Sequence, residues 1–205
     1  MYTAQQVSRH SRPARERRKQ RSITCGRYGM MERQRQGNEG GDKRSWKARA
    51  LSRAMRTRPL FQSALWTQMP LLAMAGPRVR RLDEEACEIE LPFGWRTRNI
   101  FGTMYFGASL MAAEATTGGL VLYRDALEVA ETSFIVTGVS ADFVDKAESA
   151  VTFRCDQGAE VAAAFEEAKG SSERFERSYE VVGRREDGVE TARVSVRWSF
   201  RGSRS

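Results

Sequence analysis

The chain has 205 residues, 40% of them hydrophobic, enough for one globular domain and inconsistent with wholesale disorder. The formal charge of +8 conceals two different regions: residues 1–58 carry 17 Lys/Arg against 4 Asp/Glu, and residues 59–205 carry 17 against 22, so any claim of nucleic-acid binding rests on the first region alone. Three scattered cysteines and a single histidine, His10, exclude a disulfide framework, His-dependent triads in the body and most zinc sites, and no apolar run reaches the ~18 residues of a membrane span.

Residues 1–58 read as a basic extension. Arg12 to Arg21 is its densest charge run, and Gly37 to Asp42 reads as a hinge. So little apolar surface cannot offset the entropy of ordering, so disorder is expected. Met30, Met31, Met55 and Met69 are alternative starts. A transit peptide would need an aliphatic face, and a nucleic-acid arm would be helped by interleaved aromatics; neither is present.

The body begins at Pro59. The stretch 60–66 has the spacing of a short amphipathic helix, and Pro70 and Pro77 bound the connection after it. Residues 87–91 alternate apolar and charged, as a half-buried strand does, and Pro92-Phe93-Gly94 ends it. Between Thr103 and Tyr123 the only charge is Glu114, which marks a helix buried on nearly every side, with Gly107, Ala108, Ser109, Ala112, Ala113 and Ala115 permitting close approach. Strands follow over 134–139, with a bulge expected at Gly138, and over 150–155. An Ala/Glu-rich helix over 159–168 lies between Gly158 and Gly170. Residues 174–184 and 189–201 alternate around the turn Glu186-Asp187-Gly188, with Ala192, Val194, Val196, Trp198 and Phe200 on one face and Arg193, Ser195, Arg197 and Ser199 on the other. This order predicts an α+β fold, an antiparallel sheet wrapped around one long central helix; an open α+β sandwich is the runner-up.

The layout and the Asn99–Glu114 segment together resemble the hotdog-fold acyl-CoA thioesterases. In the phenylacetate-pathway type an Asn precedes the helix, a His-Gly-Gly turn opens it and an acidic residue stands fifteen positions after the Asn. Asn99 and Glu114 have that spacing, with Tyr105-Phe106-Gly107 in place of His-Gly-Gly. The segment is closer still to an uncharacterised branch of the superfamily, a domain of unknown function, through Arg98-Asn99, Gly102-Thr103 and Ala113-Glu114. Residues 141–148, with Lys146-Ala147, resemble the same branch's strand start. The resemblance covers roughly 59–201, giving a division into an extension, 1–58, and a hotdog domain, 59–205.

Thioester hydrolysis requires a base or nucleophile, a polariser for the carbonyl and a positioned water. Glu114, the one ionisable group on the apolar helix, suits the first task, and its burial should raise its pKa. The resemblance implies that the amide of Phe106 or Gly107 binds the oxyanion, and that Asn99 and Thr103 orient water or cap the helix. It places Gly102, Tyr105, Phe143 and Lys146 along the substrate, with the pantetheine arm near Phe143 and Lys146. Each residue also has a plain structural reading. Asn99 and Thr103 are common at helix starts, Gly107 permits close packing, Glu114 could pair with Arg98 or Arg124, and Lys146 could be a solvated strand end.

The leading reading is thus a cytoplasmic thioester hydrolase acting on an acyl-CoA or related thioester. It is a homodimer or dimer of dimers, needs no metal or cofactor, and has neither a membrane nor nucleic acid as partner. The alternative is a non-catalytic acyl-binding hotdog module, its basic arm contacting nucleic acid.

Overall fold

The structure is a computed structural model describing residues 40–128 and 131–202. The chain divides into two units, 1–38 and 39–205, and all described residues belong to the second. Of the extension 1–58, for which disorder is expected, residues 1–39 lie outside the described residues.

Among the described residues three helices come first: α1 (Gly40–Arg56), α2 (Arg58–Gln68) and α3 (Pro70–Ala75). Prolines in the first turns of α2 and α3 sit where a missing N–H leaves no intrahelical bond unmade. Gly76, with φ 73°, stops α3 in the left-handed conformation. Only α2 is anticipated by the sequence pattern. Residues of α1 belong by charge to the extension, yet Ala48 and Ser52 are buried and Met55 packs on the core. The Ser52 hydroxyl donates to the Leu82 carbonyl at 2.5 Å. A charge count does not register this stripe, because it ignores where residues fall around a helix.

Next come β1 (Arg78–Leu82), β2 (Cys87–Leu91), α4 (Phe106–Leu127), β3 (Thr132–Phe143), β4 (Val151–Cys155), α5 (Gly158–Lys169), β5 (Phe175–Arg185) and β6 (Glu190–Gly202). The strands form one antiparallel sheet in the order β1-β2-β4-β5-β6-β3. The register shift expected at Gly138 is present between Val136 and Gly138.

Helix α4 packs against β1, β2, β4, β5 and β6, so the sheet curves around it rather than lying open. Small residues make this close packing feasible. A Cβ on Gly119 would come within 2.8 Å of the Cys87 sulfur, so β2 approaches the helix backbone directly. α4 runs to Leu127, and in its last turn Arg124 pairs with Glu128 at 2.6 Å. Helix α5 covers the far end of the sheet, with Phe165 against Phe200 at 5.7 Å between ring centres. On β6 the expected inner face is buried, and so is Ser199, expected outside, whose hydroxyl accepts from Arg174 at 3.4 Å.

Candidate functional site

The approach to α4 is built from local hydrogen bonds. Thr97, which is buried, holds the turn after β2: its hydroxyl donates to the Pro92 carbonyl at 2.8 Å and accepts the Gly94 amide at 3.1 Å. The Thr97 carbonyl accepts the Tyr105 amide at 2.7 Å, which fixes where α4 starts. Between these points Asn99 organises a loop. Its Oδ1 accepts the amides of Phe101 and Thr103 at 2.9 and 3.1 Å, and its Nδ2 donates to the Thr103 hydroxyl at 3.0 Å. Gly102 has φ 83°, a conformation that favours glycine. Asn99, Gly102 and Thr103 are therefore brought together. The helix capping expected of Asn99 or Thr103 is not formed: the N-cap of α4 is Tyr105, with no side-chain cap bond.

The amides of Phe106 and Gly107, the first two of α4, have no hydrogen-bond acceptor among the described residues. The Tyr105 ring lies over Gly107, 2.5 Å from where a Cβ would stand. Tyr105 and Phe106 have ring centres 4.8 Å apart, and Phe106 meets Phe143 edge-on at 6.4 Å. The segment after β3 joins this cluster through the Met104 amide, which donates to the Ala147 carbonyl at 2.7 Å. Lys146 is exposed there, and its carbonyl accepts from Arg185 at 2.9 Å.

Glu114 lies apart from this cluster. It is seven residues beyond Gly107, on the same side of the helix and roughly 10 Å further along its axis at 1.5 Å per residue. The carboxylate is half-buried and has no ion pair or hydrogen bond among the described residues. Arg124, a suggested partner, instead pairs with Glu128 and Glu166. Burial alone raises the Glu114 pKa above the ordinary carboxylate range. A Cβ on Gly118 would lie 3.7 Å from Glu114 Oε1 and 3.8 Å from the Trp198 ring, so the acid sits beside that indole over a glycine. Trp198 Nε1 donates to the Thr117 hydroxyl at 3.0 Å, which fixes the ring. Sequence reasoning missed Gly118 and Trp198 as neighbours of the acid; a Glu followed four residues later by Gly on an otherwise apolar helix is the signal that could have found them.

Two consequences follow. The amides of Phe106 and Gly107 and the residue that bears the carboxylate stand about two helical turns apart along α4. In addition, a cavity of about 530 Å³ lies elsewhere, between the β1–β2 turn, the end of α4 and the start of α5, and is lined by Arg81, Tyr123 and Arg124 rather than Glu114.

A six-stranded antiparallel sheet curved around a small-residue helix, with one carboxylate in mid-helix, defines a hotdog-fold domain. Residues 57–200 match the family described as a domain of unknown function (DUF4442), and the chain belongs to that family. Solved structures share the fold. A Pseudomonas aeruginosa protein of unknown function, also named as a probable thioesterase, is 20% identical with a TM-score of 0.58, over 73% of this chain and 99% of its own. A Chlorobaculum tepidum protein of unknown function is 13% identical with a TM-score of 0.60, over 73% and 99%. A Haemophilus influenzae thioesterase is 16% identical with a TM-score of 0.53, over 74% and 95%. No curated protein matches the chain.

Proposed function

We propose that this protein hydrolyses an acyl-CoA or a related acyl thioester, with Glu114 as general base or nucleophile. The observation that carries the reading is the half-buried carboxylate on α4, without an ion pair or hydrogen bond among the described residues, at the centre of a fold it shares with proteins named as thioesterases. An ionised carboxylate is unfavourable in such a place without a partner, and a raised pKa suits a proton acceptor working near neutrality.

In the base route, Glu114 takes a proton from water as the oxygen attacks the thioester carbon. The carbonyl oxygen becomes an oxyanion facing the amides of Phe106 and Gly107. The tetrahedral species then collapses, expelling the thiolate, which takes up a proton. Because Gly107 and Glu114 stand roughly 10 Å apart along one helix axis, each site takes its amides from one subunit and its carboxylate from the other. The edge strand β3 supports such pairing: none of its residues is buried, and Ile135, Val139 and Phe143 are exposed. Asn99, Gly102 and Thr103 hold the loop that sets the start of α4, and Tyr105, Phe143 and Lys146 flank the carrier arm.

A second reading, a module that binds acyl ligands without turning them over, draws on the Tyr105 ring over Gly107 and on a cavity that does not reach Glu114. Release of free thiol from acyl-CoA esters of increasing chain length decides between them. Catalytic release from at least one ester is expected; saturable binding with no release from any of them would favour the second reading.

A further inference from the structure

From Lys43 to Leu82 the sequence has ten Lys/Arg and no Asp or Glu. The fold gathers much of this stretch into one layer, with α1 against α2 and β1, and α2 against α3. Its inner residues, Phe61, Leu65, Leu72 and Val79 among them, are buried in the core. Large apolar side chains nevertheless remain outside: Trp46, Leu60, Trp66, Leu71 and Met74 are each about half exposed or more. The cations of the same layer are in excess. Arg53, Arg56 and Arg58 have no ion pair among the described residues, and Arg78 and Arg80 share one carboxylate, Glu90. A groove of about 220 Å³ runs between the end of α1, the start of α2 and β1. Arg56, Arg58, Arg78 and Arg80 line it over a floor that includes Met55 and Phe61, with no acidic residue. The Arg78 Nε is buried there without a hydrogen-bond partner.

We propose that this layer docks on an anionic phospholipid surface, its tryptophan, leucine and methionine side chains entering the headgroup boundary while the arginine groove holds lipid phosphate. A second copy of the chain would set arginine against arginine across a two-fold axis. Nucleic acid would satisfy the arginines but leave Leu60, Leu71 and Met74 in water. An anionic bilayer satisfies both sets, because binding there combines buried apolar area with attraction of Lys/Arg to acidic headgroups. No helix among the described residues is long and apolar enough to cross a membrane, so the contact is with the surface. The expectation of no membrane partner rested on the lack of a spanning segment, which does not bear on surface docking.

Flotation of the full chain with vesicles tests this. One set is phosphatidylcholine alone, the other phosphatidylcholine with phosphatidylglycerol. The parent should float only with the second set, and brominated acyl chains in those vesicles should quench its tryptophan fluorescence. Arg56→Glu with Arg58→Glu should lower binding about tenfold or more, at roughly a tenfold factor or less for each cation lost. Leu60→Ser with Leu71→Ser should also lower it severalfold, with the melting temperature of both variants checked. A parent that does not float, or one without quenching, would overturn the proposal. Binding equal in parent and both variants would overturn it too, since that is what the basic extension acting alone would produce. Binding of duplex DNA lost only in the arginine variant, with no flotation of the parent, would assign the surface to nucleic acid instead.

Discussion

Glu114 and Gly118 stand one helical turn apart on α4, and a Cβ at Gly118 would lie 3.7 Å from Glu114 Oε1. The absent side chain gives the carboxylate its place beside Trp198. Because 3.7 Å is ordinary contact, Gly118→Ala should fold at least as well as the parent, gaining up to about 1 kcal/mol from the lower helix penalty, and should keep its activity. Gly118→Leu should push the carboxylate and the indole apart, lose most thioester turnover and lower the melting temperature, as overpacking does. Full activity in the leucine variant would show that the acid's position is immaterial.

Burial gives Glu114 a pH signature. Its carboxyl holds a proton to higher pH in the fold than in the unfolded chain, where it titrates in the ordinary carboxylate range. The folded state therefore binds more protons between those two values. The residue's contribution to stability is fully present below the unfolded value and is lost as pH rises through the raised one. Glu114→Gln has no charge to desolvate, so melting temperatures should coincide in acid and diverge in the variant's favour at neutral pH. A difference that stays constant across that range would contradict a desolvated carboxylate.

Helix α1 supplies a third test. Its Ala48 and Ser52 are buried, and Ser52 holds the Leu82 carbonyl of β1. Removing residues 1–39 should leave the melting temperature unchanged, whereas removing 1–56 should destabilise the domain by about 2 kcal/mol or more through the lost hydrogen bond and packing. Denaturant titration of the two truncations measures this; equal midpoints would make α1 an ornament.

Much of the fold is legible in the sequence where one period dominates. The alternation of Val194, Val196, Trp198 and Phe200 marks β6, and the single charge of α4 marks the central helix. Less legible are elements whose charge hides their burial. In β1, Arg-Val-Arg-Arg-Leu, only Val79 and Leu82 are buried among arginines, and in α1 the inner stripe includes an alanine and a serine. At the site, Glu114 stands out as the one charge in an apolar run. The use made of Asn99 does not, because four residues of loop must close before its amide meets Thr103. The neighbourhood of Glu114 includes, across Gly118, Trp198, eighty-odd residues away, and no local pattern encodes that juxtaposition.

The two-subunit site can be tested by mixing. Phe106 is the first residue of α4, where proline is well tolerated, and Tyr105 before it is already extended at φ −67°, ψ 128°. Phe106→Pro thus deletes one amide donor and keeps the helix. Phe106→Pro and Glu114→Gln should each be nearly inactive, and an exchanged equal mixture should recover about a quarter of parental turnover, because half the dimers are mixed and each holds one intact site. No recovery from subunits shown to exchange would mean that both groups act within one chain or not at all.

The central claim is that the Glu114 carboxylate takes the proton from the attacking water or itself attacks the thioester, and turnover of acyl-CoA esters by Glu114→Gln tests it most directly. The substitution keeps the shape and removes the charge, so the variant should remain folded while its kcat falls by roughly a hundredfold or more, the scale of losing a positioned base. A folded Glu114→Gln protein that releases thiol as fast as the parent would contradict the account.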